Sequence, residues 1–358
     1  MRSDYFNGVQ RVVLKLGTGV LTDARKRTDQ VQFAQLVAQM ADLRSVGKEV
    51  VLVTSGAVGA GMGVLGYETR PGSLAERQAC AAVGQSRLMA MYESLFRHYD
   101  LNVGQVLLTH DDLADHDRHL NARNTLLTLL KRGVIPIINE NDAVSVTELK
   151  FGDNDRLSAL VASLLPADLL VILTTADGLI QDYGQPGAKL LSVVERIDET
   201  IEAMAGGTTS VTATGGMTTK ITAAKIVVRS GIPLVIAPGR KFDALQRILS
   251  GAAEGTLFLP RATGLTSRKR WIAFYHHVRG TLTLDAGAAQ AVAEQGRSLL
   301  TVGVAHCEGD FKVGEVLRLV TPEGREFARG LARADAVTIR ERRTGRSEVV
   351  HRDDLVVL

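Results

Sequence analysis

The chain of 358 residues is predicted to be an α/β protein, an αβα sandwich around a mainly parallel sheet, followed by a small β-rich module. Three observations predict this. Short apolar runs rich in valine and isoleucine alternate with longer helical patterns through about residue 260, the order of successive βα units. Beyond about residue 275 the pattern changes to short strands separated by glycine turns. The charge changes as well: residues 261–358 hold 16 Lys and Arg against 12 Asp and Glu, whereas residues 1–260 hold 26 against 27. The length suits two domains, expected over 1–262 and 275–358 with a link over 263–274.

In chain order, the expected strands are Val12 to Leu16, Val50 to Thr54, Val103 to Thr109, Val134 to Ile138, Leu169 to Thr174 and Leu234 to Ala237. Each is a run of four to eight residues, the pattern of a strand buried on both faces. Helical spacing or composition covers Val31 to Val46, Leu74 to Tyr99, Leu120 to Arg132, Arg156 to Leu165 and Lys220 to Arg229. Pro136 cannot donate to a sheet ladder, so it is expected at a strand start or an irregular edge. In the second module, Gly309 to Val320 reads as turn, strand, turn, with a hairpin at Thr321 to Gly324. Thr266 to Arg270 reads as an exposed link ahead of the apolar Trp271 to Phe274.

Composition narrows the function classes. Hydrophobic residues at 45% and charged residues at 23% exclude a disordered chain. Cys80 and Cys307 lie far apart in no metal or redox motif, which fits a reducing cytoplasm. No run is apolar and long enough to cross a bilayer, and Met1 to Gly8 lacks the core of a secretory signal. His110, His116 and His119 match no ligand spacing and are read as part of a charged, solvent-facing segment.

A parallel sheet of this kind binds ligands beyond the carboxyl ends of its strands, and polar or glycine residues follow almost every expected strand. Lys15 interrupts Val12 to Leu16; it either snorkels to solvent or faces an anionic ligand. Thr54-Ser55-Gly56-Ala57 opens a helix, where Ser55 either caps it or the free N–H groups bind an anion. Thr214-Gly215-Gly216-Met217-Thr218-Thr219-Lys220 is a second glycine turn into a helix, suited to the terminal phosphates of a nucleotide. Two lysines and two glycine-rich helix starts point to two anions. Asp142 follows the fourth strand, and one of Asp153, Asn154 and Asp155 is expected to cap the next helix. If the substrate carries an ammonium group, these carboxylates and amides are its partners.

These motifs, with Asn121-Ala122-Arg123-Asn124-Thr125 and Asn139-Glu140-Asn141-Asp142-Ala143-Val144, occur in the order found in the glutamate 5-kinases, which the first 260 residues closely resemble. The resemblance continues through Arg268 to Ile272 into a part similar to a PUA domain, a module common in RNA-modifying proteins. It implies the amino-acid kinase fold and ATP-dependent phosphorylation of L-glutamate on its side-chain carboxylate, the first step of proline biosynthesis. Proline inhibition, a Mg2+ ion carried mainly on ATP phosphates and a homo-oligomer, dimer or tetramer, are also implied. By the same resemblance Lys15 and Lys220 stabilise the transferring phosphoryl group, and Asp155 orients them. Ser55, Asp142, Asn154 and Asp153 hold glutamate. Thr174, Thr175 and the run Thr214, Gly215, Gly216, Met217, Thr218, Thr219 and Lys220 hold ATP. Thr175 and Ile180 depart from the aspartate and tyrosine usual in the family. A related kinase for aspartate or N-acetylglutamate, or an added RNA-binding role for the basic second module, are the competing readings.

Overall fold

The structure is a computed structural model that describes residues 2–23, 27–145, 154–206, 216–262, 264–275, 278–341 and 346–358. Residue contacts divide the chain into two compact units, Met1–Asp112 with His116–Gly264, and Leu265–Leu358 with Leu113–Asp115.

In the first unit the order is β1 (Arg11–Leu16), α1 (Thr18–Leu21), α2 (Gln30–Ser45), β2 (Glu49–Val53), α3 (Ala57–Leu65), α4 (Leu74–Arg97), β3 (Val103–Leu108), α5 (His110–Ala114), α6 (His116–Lys131), β4 (Ile135–Glu140), α7 (Asn154–Leu164) and β5 (Leu169–Thr174). There follow β6 (Ile180–Gln181), β7 (Lys189–Leu190), β8 (Val193–Val194), α8 (Glu199–Gly206), α9 (Met217–Arg229), β9 (Leu234–Pro238), α10 (Ala244–Leu249) and β10 (Thr256–Phe258). The sheet runs β3-β4-β2-β1-β5-β9-β10-β8. Its six expected strands are all parallel, and β10 joins β9 antiparallel. The mainly parallel α/β expectation is borne out.

Strand periodicity decides which face each residue meets. Val12, Leu14 and Leu16 of β1 join Phe33, Leu36, Val37 and Met40 of α2 in one core. Lys15 therefore belongs to the opposite face, where α7 lies. Pro136 sits in an interior strand, opposite Gly104 of β3, one residue before the ladder to β2 begins at Ile137. Its missing N–H thus falls at the strand start, where a proline is tolerated.

In the second unit α11 (Ser267–Arg270) is capped by Thr266 and continues as a π-type turn over Trp271–Tyr275, whose Ile272 to Tyr275 are buried. The stretch read as a link is therefore helical, although Arg268 is exposed. Next come β11 (Gly280–Leu284), α12 (Ala286–Gln295), β12 (Leu299–Leu300), β13 (Val304–Glu308), β14 (Val316–Val320), β15 (Glu326–Leu331), α13 (Ala336–Glu341), β16 (Glu348–Val350) and β17 (Leu355–Val357). The main sheet is β13-β11-β14-β15-β17, and the hairpin between β14 and β15 closes with the Thr321 N–H donating to Arg325 O. Leu282, Leu319, Phe311, Ala328 and Val350 form a separate core.

Candidate active site

The carboxyl ends of β1, β5 and β9 lie together because the strands are parallel and in register, Leu16 opposite Leu173 and Thr174 opposite Pro238. The Gly17 N–H donates to Leu173 O at 3.1 Å, and the Gly239 N–H donates to Thr174 O at 2.8 Å. Gly239 must be glycine here: a Cβ would stand 2.8 Å from Val20 Cγ1 and 2.9 Å from Leu173 Cβ.

At this edge Asp155, in the first turn of α7, bridges two lysines. Its Oδ1 is 2.5 Å from Lys15 Nζ and its Oδ2 is 3.0 Å from Lys220 Nζ. Thr219 Oγ1 donates to the same Oδ2 at 2.9 Å. Asp155 is fully buried, and Lys15 and Lys220 are 3% and 5% exposed. Burial alone would raise the Asp155 pKa, but the two lysines outweigh it and bring the carboxyl down to about 2. Lys15 does not snorkel to water, and Asp155 lies inside α7, which begins at Asn154. Buried charges of this kind are tolerated only when paired and hydrogen-bonded.

Lys220 reaches Asp155 because α9 packs along α7, an arrangement held at the far end by the hydrogen bond between Ser163 Oγ and Ser230 Oγ, 2.9 Å. The N-cap of α9 is Gly216, which has no side chain to occupy the free N–H groups of the first turn. Met217 is buried, and Thr218 Oγ1 donates to Ala205 O at 3.3 Å. Thr174 ends β5 half-buried, and Thr175 is exposed. Thr214, Gly215 and Asp153 lie outside the described residues.

A second cluster adjoins the first through Asn154. Its Nδ2 is within hydrogen-bond distance of Thr54 O (2.7 Å), Ser55 Oγ (3.1 Å) and Asn139 Oδ1 (2.9 Å). Ser55 thus faces Asn154. The cap of α3 is Gly56, whose φ of 100° is a left-handed conformation that favours glycine. Thr54 Oγ1 in turn bonds the buried Tyr92 hydroxyl at 2.8 Å. Asp142 is half-buried and lines a cleft of about 180 Å3 with Ala57, Gln85, Ser86 and Glu140. Sequence reading did not single out Gln85 or Tyr92, because α4 is a long helix without a motif. Their only signal is a polar group within the buried stripe Cys80, Ala81, Gly84, Leu88 and Phe96.

Among the described residues no group of three or more His, Cys, Asp or Glu side chains converges on a metal position. The carboxylate closest to the two lysines, Asp155, is already engaged by both. These residues do not form an oxygen cage for Mg2+.

Residues 10–238 match the amino acid kinase family, and residues 280–353 match the PUA domain. The chain belongs to the amino acid kinase family. As a family member it is a phosphotransferase, and it carries a PUA domain. It is 47% identical over 364 residues to the glutamate 5-kinase of Moorella thermoacetica, covering 98% of this chain and 96% of that protein. It is 50% identical over 363 residues to the glutamate 5-kinase of Deinococcus radiodurans, covering 97% and 100%. The carbamate kinase from Giardia lamblia bound to AMP-PNP superposes with a TM-score of 0.53 at 19% identity, over 71% of this chain and 99% of that one. That likeness bears on the amino acid kinase fold alone.

Proposed function

We propose that this kinase transfers the terminal phosphoryl group of ATP to the side-chain carboxylate of L-glutamate, giving L-glutamyl 5-phosphate and ADP. The observation that carries the reading is the buried Lys15-Asp155-Lys220 bridge at the strand ends. Near-full-length similarity to glutamate 5-kinases supplies the substrate.

The nucleophile, a carboxylate with a reference pKa of roughly 4.3, is ionised at neutral pH and needs no general base. The obstacle is repulsion between it and the triphosphate. Two ammonium groups against one carboxylate leave the cluster net positive, and its buried setting strengthens the attraction to phosphoryl oxygens. Asp155 orients both Nζ groups while Thr219 supports it, so little reorganisation is needed as charge develops. The Gly216 turn and the first N–H groups of α9, with Thr218 and Thr219, take the ATP phosphates; Thr174, Thr175, Thr214 and Gly215 complete the nucleotide site. Ser55, Asn154, Asp153 and Asp142 hold glutamate. Mg2+ carried on the ATP phosphates, not held by these residues, would add charge neutralisation there.

Asp142 and Glu140 line one cleft, and this favours an amino acid with a free ammonium over its acetylated form. Proline inhibition, a role in proline biosynthesis, a homo-oligomer (dimer or tetramer) and a cytoplasmic location belong to the same reading and rest on the resemblance. Among the described residues no helix is long and apolar enough to cross a membrane.

An ATP-dependent hydroxamate assay tests the substrate, because hydroxylamine traps acyl phosphates. Turnover is expected with glutamate at least about tenfold above aspartate and N-acetylglutamate, in line with the cost of an unpaired polar group in a built site. A preference for either competitor would overturn the assignment.

A further inference from the structure

Gln85 holds an unexplained donor, and the argument from it rests on the amino-acid substrate proposed above. It sits in the buried stripe of α4 and is 8% exposed. A relay that begins at the backbone orients its amide. The Glu140 N–H donates to Asn139 Oδ1 at 2.9 Å, which leaves the Asn139 nitrogen at the other end, where it donates to Gln85 Oε1 at 2.9 Å. Gln85 is thereby left with Nε2, and this nitrogen is buried with no hydrogen-bond partner. A buried N–H without an acceptor is costly, and such a group calls for an explanation.

Gln85 borders the cleft of about 180 Å3 that Glu140 and Asp142 also line. No lysine or arginine is among the described residues lining it. The two carboxylates suit an ammonium group, so the carboxylate of an α-amino acid placed there must find neutral donors. The relay also runs away from the phosphoryl end: Asn154 adjoins Asp155, Asn139 adjoins Asn154, and Gln85 lies one hydrogen bond further. We propose that Gln85 Nε2 donates to the α-carboxylate of the bound amino acid and so makes Gln85 a specificity residue for that end of the substrate.

The test compares glutamate with its α-amide in the hydroxamate assay, using wild type, Gln85→Glu and Gln85→Met. Glutamate at position 85 keeps an acceptor for Asn139 Nδ2 but replaces the donor with a second acceptor. Gln85→Glu is expected to raise the glutamate KM roughly tenfold or more, as for a lost hydrogen bond to a charged group. The KM for ATP should hold, and the preference for glutamate over its α-amide should fall by a similar factor. Gln85→Met should also raise the glutamate KM. If Gln85 acted only by holding Asn139, Gln85→Glu would behave as wild type, and that result would overturn the proposal. Should neither variant fold, the wild type decides: a KM for the α-amide well above that for glutamate supports the proposal, and equal values overturn it. A wild type that makes acyl phosphate from no amino acid removes the glutamate reading and this inference together, whereas an active wild type with an unchanged ratio in Gln85→Glu removes the inference alone.

Discussion

Asp155 ties three elements together, since its partners come from β1 and α9 while it stands at the start of α7. Replacing Lys15 or Lys220 by Ala is expected to lower kcat by on the order of a hundredfold or more, the usual loss when a preorganised donor to developing charge is removed. Steady-state kinetics check this; a variant within a few-fold of wild type would contradict the role. Asp155→Asn leaves two buried lysines facing each other, and a loss of about 3–5 kcal/mol in unfolding free energy is expected. Because the folded-state pKa of Asp155 is depressed to about 2, its stabilising contribution is present above the unfolded value, near 4, and is lost as the pH falls toward the folded value. Acid unfolding of wild type should therefore include a step in that window that Asp155→Asn lacks. Lys15 was legible in the sequence because a lysine inside an apolar strand is anomalous. Its partner was legible only through the family resemblance: from the residues alone Asp155 read equally well as a helix cap, and it is the packing of α7 against α9 that brings Lys220 to it.

At the scale of elements, the crossing of α3 and α4 depends on two glycines. A Cβ on Gly61 would stand 1.8 Å from Cys80 O, and one on Gly84 would stand 1.8 Å from Ala57 O. Backbone against backbone cannot yield as a side-chain tip can, so Gly61→Ala or Gly84→Ala is expected to cost at least about 1–3 kcal/mol, the range for overpacking. Thermal unfolding measures it, and an unchanged midpoint would show that the crossing is looser than described. Gln85 follows Gly84 directly, so these variants should also raise the glutamate KM. The long parallel strands were readable as short apolar runs, and β1 and β9 are buried almost throughout, whereas β3, at the sheet edge, is mostly half-buried. The short β8 and β10, of two and three residues, were not, since so short a run has no period of its own. The helix α12 was missed for a different reason: its Ala and Gly residues resemble a turn-rich stretch, and burial of Ala289 and Val292 decides the matter.

For the whole molecule, each unit has its own hydrophobic core, and the residues proposed for phosphoryl transfer all belong to the first. The second has a modest excess of basic residues, 16 against 12 over residues 261–358, and the chain is 4% aromatic. Filter binding of RNA is expected to give only weak affinity, no tighter than about 10⁻⁶ M at physiological salt, with a steep salt dependence. Tight binding that survives salt would assign the PUA domain a specific RNA ligand.

In the proposed reaction the substrate's own carboxylate oxygen attacks phosphorus at the Lys15-Asp155-Lys220 cluster. Glutamate labelled with 18O in the side-chain carboxylate tests it most directly. Hydroxylamine cleaves the acyl phosphate at carbon, so one 18O should pass into the inorganic phosphate for each hydroxamate formed. Phosphate released without 18O would mean that water, not the carboxylate, had attacked ATP, and would contradict the account.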